Sequence, residues 1–132
     1  MKNRLLAAIS AMTATSALTS IIATVGTSGK AIYQSVIPKE LTGKLPAVTV
    51  QQINGGIAAK ISSNPEFYIS AHATTQAGAL DVTEQVRKIF DRTVITYSGK
   101  NYSCTHETGT LTVDEDIYRL VNIVRIKQLK GV

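Results

Sequence analysis

Three side chains carry the donor atoms of a soft-metal site: His72, Cys104 and His106. Cys104 and His106 are two residues apart, so on a strand they share one face. A neighbouring strand with His72 could supply a third donor. A structural zinc centre takes four such ligands, and a catalytic one takes three plus an open position. The sequence offers no clear fourth, so ordinary strand histidines and a buried thiol are the simpler reading. The one carboxylate cluster is Asp114, Glu115 and Asp116. Consecutive acids point in different directions on any regular element. They do not make a general acid/base pair, and the run reads as a solvated turn. No serine lies in a Gly-x-Ser-x-Gly elbow, and neither a P-loop nor a Gly-x-Gly-x-x-Gly run is present. The residues give an enzymatic role little support and point to no cofactor.

The elements that must hold these residues centre on 66–90. Phe67, Ile69 and Ala71 alternate with Tyr68, Ser70 and His72, the period of a half-buried strand. Ala79, Val82, Val86, Ile89 and Phe90 then recur three or four apart, the stripe of an amphipathic helix over about 75–90. Thr74 or Thr75 can cap it. A strand running directly into a helix, each with one apolar face, is half of an α/β sandwich.

Around this core the chain reads in order. Leu5, Leu6, Ile9 and Met12 fit one face of a first helix over 2–12. The same stretch, with its basic start and small residues, imitates a secretory signal peptide, although Ser10, Thr13 and Thr15 interrupt the apolar run. A second short helix follows Thr13 or Thr15, ending at Gly26 and Gly29. Residues 31–37 and 47–53 have strand character. Asn54-Gly55-Gly56 is a turn signal opening a gap that lasts to Pro65. After the helix, 93–97 resumes as a strand, 98–101 is a hairpin turn, and 106–109 is a further turn before a short strand over 111–113. The last strand, 117–126, is apolar on both faces, which suits the inside of a sheet. No run approaches the ~18 apolar residues of a membrane span.

Composition bounds the function. With 132 residues the chain reads as one domain, 1–132. A single cysteine makes no internal disulfide. The net charge of +5 lies wholly in residues 1–65, which hold six basic residues against one acid. The cations are dispersed and lack interleaved aromatics, which weighs against sequence-specific nucleic-acid binding.

The layout resembles the tail completion proteins of long-tailed bacteriophages, the tail terminators or head–tail joining proteins. The residues that carry the resemblance are Ala31-Ile32-Tyr33 with Pro38, Leu45-Pro46-Ala47-Val48-Thr49-Val50, and Phe67-Tyr68-Ile69-Ser70-Ala71-His72-Ala73. Residues 77–90 and Ile117-Tyr118-Arg119-Leu120 with Val124-Arg125-Ile126 complete it. The resemblance implies an α+β fold, with a mixed, mainly antiparallel sheet of about four to five strands packed by an N-terminal helix and the central helix. It implies no catalysis and no cofactor. It implies a homo-oligomer, a hexameric ring capping the head-proximal end of the tail tube, with the tube protein and a head connector or stopper protein as partners. DNA would pass through without sequence-specific binding, no membrane would be involved, and the protein would reside in the virion after assembly in the host cytoplasm. Candidate contact residues are Asn54, Gly55, Ile57 and Lys60 in the turn-rich gap, Asp114, Glu115 and Asp116 at the acidic turn, and Arg119 and Arg125 on the last strand. The competing readings are another connector component (stopper or adaptor), a tail tube subunit, a secreted binding module whose first ~17 residues are a signal peptide, and a small hydrolase or metal protein built on His72, Cys104 and His106.

Overall fold

The computed structural model describes residues 2–25, 29–39, 43–52 and 66–129. Helix α1 (Lys2–Ala14) and the one-turn α2 (Ser16–Thr19) open the chain, followed by a small ribbon of β1 (Thr24–Val25) and β2 (Gly29–Lys30). Then come β3 (Ile32–Gln34), β4 (Ala47–Gln52), β5 (Glu66–Ala73), α3 (Gln76–Phe90), β6 (Thr93–Tyr97), β7 (Lys100–Asp114) and β8 (Ile117–Gln128). Six of the strands form one sheet in the order β3-β4-β5-β8-β7-β6, antiparallel throughout except for the parallel β3–β4 pair. The α+β class and mainly antiparallel sheet agree with the sequence reading. The sheet has six strands rather than four to five, with the two-residue ribbon besides.

Alternation decides what the sheet buries. Phe67, Ile69, Ala71 and Ala73 of β5 face the same side as Leu120, Asn122, Val124 and Ile126 of β8, and all are buried. On that side α3 contributes Ala79, Val82, Val86 and Phe90 to the core, and α1 contributes Ala7, Ala8 and Met12. Helix α1 touches both β4 and β6, which stand near opposite ends of the sheet, so the sheet curls around the helices. The N-terminal stretch that imitates a signal peptide thus supplies core side chains. Its buried face runs through the small Ala7 and Ala8, with Leu6 only partly covered. Small residues let a helix approach closely, a property that counting large apolar residues does not register.

Local chemistry sets the ends. Thr75 caps α3 by accepting from the Gly78 amide at 3.0 Å, and Arg87 and Lys88 lie in the last turn, where cations complement the helix dipole. The turn at 98–101 is tighter than expected: Tyr97 pairs with Lys100, leaving Ser98 and Gly99 as the two central residues, both at positive φ (52° and 76°). That is the signature of the primed turn that matches strand twist.

Three other expectations are corrected. The turn at 106–109 and the separate short strand over 111–113 are one continuous strand, β7. A register shift between Thr108 and Leu111 places one extra residue on β7 opposite β8. A β-carbon on Gly109 would lie 2.8 Å from the Val121 carbonyl oxygen, so glycine here marks a bulge with close backbone approach, not a chain reversal. The expected stop of the second helix at Gly26 and Gly29 is also displaced: α2 ends at Thr19, Gly29 belongs to β2, and Gly26 lies outside the described residues. The run 31–37 is a strand only over β3. Ser35 takes a positive φ of 69° and turns the chain.

Candidate interaction surface

The sheet separates the three soft donors. Strand pairing aligns His106 with Val124 and Cys104 with Ile126, so both point to the helix side. His72 pairs with Ala47 and Arg119 and points to the opposite side. The grouping that spacing alone would allow does not close across the sheet. Each donor has its own role instead. His106 Nε2 donates to Asn122 Oδ1 at 2.7 Å. The Asn122 amide nitrogen donates to the Ile69 carbonyl at 3.0 Å and the Thr83 hydroxyl at 3.3 Å. Cys104 is buried, and desolvation pushes its thiol up to about 11, outweighing a hydrogen bond with Thr93 that acts the other way. A thiol held that high is a poor nucleophile.

No described helix packs on the opposite face of the sheet. It presents Thr49 and Gln51 from β4, Tyr68, Ser70 and His72 from β5, Arg119, Val121, Ile123 and Arg125 from β8, and Thr105 and Glu107 from β7. Thr49 Oγ1 and His72 Nε2 are hydrogen-bonded at 2.9 Å. Burial, with the Arg119 charge as the second cause, lowers the His72 pKa to about 4, so this imidazole is neutral at physiological pH.

The two arginines on this face differ. Arg125 is held by Glu66 at 2.6 Å and Glu107 at 3.4 Å. Arg119 reaches only the Ser70 hydroxyl, at 3.5 Å, and makes no ion pair among the described residues. Two hollows meet at Arg119. One, of about 330 Å³, is lined by Ser35, Val36 and Ile37 after β3, by Thr49 and Gln51, and by His72 and Arg119. The other, of about 320 Å³, is lined by His72 and Arg119 together with Thr112, Asp114, Glu115 and Ile117.

The structure therefore brings Arg119, Asp114 and Glu115 to one region, with Asp116 beside them in the β7–β8 turn, where Glu115 and Asp116 have positive φ (49° and 66°). Arg125 lies on the same face six residues along β8. Asn54, Gly55, Ile57 and Lys60 lie outside the described residues. Sequence reasoning missed the Thr49–His72 pair and the Ser35–Val36 corner. The polar side of β5 was visible in its alternation. Its partner on β4 depends on register, and the corner depends on a backbone angle that Ser35 does not advertise.

No family model matches the chain, and no curated protein matches it. Among solved structures, the fold is similar to that of a chain in the virion of a native gene transfer agent particle, with a TM-score of 0.66 and 18% sequence identity, over 96% of this chain and 95% of that chain. The two chains are alike in fold from end to end.

Proposed function

We propose that this chain is a structural component of a phage-like virion and, more specifically, a tail terminator. In this role it forms a ring, six subunits in the resemblance, that caps the head-proximal end of the tail tube, stops its growth and offers a surface to the head connector. The observation that carries the reading is the end-to-end likeness in fold to a virion chain. It accords with the element order that suggested the tail completion proteins. The role requires unlike, complementary surfaces rather than catalysis, because a head-to-tail contact closes into a ring by rotation. The sheet face that no described helix covers, with one tethered arginine and one that makes no ion pair among the described residues, and the acidic β7–β8 turn are surfaces of that kind. DNA passes through such a ring, and loose passage needs no dense row of cations.

Particles made without the protein test the reading. Overlong tails identify a terminator. Absent tails point to a tube subunit, and full-length tails beside leaking heads point to a stopper. Absence of the protein from purified particles, or normal tails made without it, overturns the proposal.

A further inference from the structure

Arg119 differs from the arginines that make ion pairs. Arg87 meets Glu84 and Asp91, and Arg125 meets Glu66 and Glu107. Among the described residues Arg119 has only a long contact to a hydroxyl. Among the described residues it is the one charged group lining the 330 Å³ hollow, whose His72 wall is neutral. At the rim stands Val36, 71% exposed, on a corner fixed by the left-handed Ser35. A guanidinium beside an exposed aliphatic side chain suits a carboxylate that has an aliphatic neighbour.

This chain carries such a group. Asp114, Glu115 and Asp116 are exposed, make no ion pair among the described residues, and follow Val113, which is 57% exposed. The turn projects past the end of β5, whose pairing with β8 stops at Ala73 opposite Tyr118. Within one chain, Asp114 and Glu115 line the second hollow. His72 and Arg119 are common to both hollows, and the chain's own turn lines only the second of them, not the Val36 side.

We infer that the hollow between Arg119 and the Ser35–Val36 corner is a socket for the acidic β7–β8 turn of a second copy of this chain. Arg119 takes a carboxylate of that turn, and Val36 packs against its Val113. Socket and turn are different patches, so the contact is heterologous and propagates from copy to copy. The inference deepens the ring reading above and rests on it for its setting. Duplex DNA is the less favoured occupant, since Arg125 on the same face is already neutralised by two carboxylates and one arginine makes a poor phosphate track.

The test uses the full chain in three forms: wild type, a socket variant Arg119→Glu, and a turn variant Asp114→Lys with Asp116→Asn. Asparagine tolerates the left-handed backbone at position 116. Sedimentation velocity and NMR line widths across a dilution series read self-association, and thermal melts check that the variants fold. Wild type is expected to self-associate, and each variant to do so at least about tenfold more weakly. An equimolar mixture of the two variants should recover association, because the turn of the socket variant meets the intact socket of the turn variant and the reversed charges at 114 and 119 again face each other with opposite sign. The inference is overturned by unchanged association of Arg119→Glu, by a mixture that recovers no association, or by a wild type that stays monomeric to millimolar concentration. It is also overturned if Arg119→Glu abolishes binding to a 20-base-pair duplex while self-association is unaffected. None of these results touches the virion reading, which particles lacking the protein decide separately.

Discussion

Asn122 is wholly buried at the centre of β8, and truncating it to alanine removes a polar hub of the core. Its amide makes three hydrogen bonds, to the Ile69 carbonyl, the Thr83 hydroxyl and the His106 imidazole. At about 1 kcal/mol net per bond, their loss costs about 3 kcal/mol. The void left by the amide adds about 1 kcal/mol, because a close-packed core relaxes only in part. The expected loss for Asn122→Ala is about 3–4 kcal/mol, a large share of the ~5–15 kcal/mol that holds a domain together. For a chain of this size that is a fall in Tm of roughly 10–15 °C. Asn122→Leu fills the space without polar atoms and separates the two contributions, with an expected loss of about 2–3 kcal/mol. Urea unfolding at pH 7 measures both. An alanine variant within about 1 kcal/mol of wild type, or a leucine variant more stable than wild type, would refute the claim that the network holds the sheet to α3.

Other perturbations read other parts of the fold. His72 has a folded-state pKa near 4, below its unfolded value of 6.5, so the unfolded chain binds the extra proton between those values. Its contribution is therefore fully present above pH 6.5 and is lost as pH falls toward 4. The linkage limit is about 3 kcal/mol, lowered by solvent screening of a partly exposed ring. Stability measured from pH 7 to 4 should fall more steeply in wild type than in His72→Gln. Thr75→Ala removes the cap on the Gly78 amide and should cost about 1 kcal/mol, read as a shift in urea midpoint at unchanged slope. Gly109→Ala sets a β-carbon against the Val121 carbonyl and should cost about 1–3 kcal/mol by forcing the bulge apart; an alanine variant as stable as wild type would mean the strands yield freely there.

How much of this was legible in the sequence depends on the range of the interaction that fixed each feature. The β5–α3 unit was readable because both periods, two and then near 3.6, lie within 25 consecutive residues, and its cap is three residues from its partner. The hairpin at Ser98–Gly99 was readable for the same reason. β7 was not, since Gly109 looks like a turn until Val121 is placed against it, and nothing near Gly109 in the chain says that β8 will be there. Whether His72 could approach Cys104 and His106 was undecidable from spacing in the same way. Spacing gives the face of a residue on its own strand, while the face shared between strands follows from register. The place of Arg119 on the last strand marks it in the sequence, but that no described carboxylate pairs with it is visible only where Glu66 and Glu107 hold Arg125 instead.

The same parity argument divides labour along β8. Leu120, Asn122, Val124 and Ile126 are sealed against α1 and α3, while Arg119, Val121, Ile123 and Arg125 stand on the face that no described helix covers. A shift of one residue would exchange the sets, placing two arginines in the core, so the register is strongly specified. Specified register is also what an assembling surface needs. Because β8 cannot slip, the distance from Arg119 to the acidic turn and to the Ser35–Val36 corner is fixed by the packing of the opposite face. The hydrogen bonds of Asn122 thus act on the outer surface without touching it. Loosening them should blur the geometry of the outer face before it changes any residue there. A subunit that must meet its neighbours at one repeated angle depends on its core for that angle, and its outer side chains only decide which neighbour it meets.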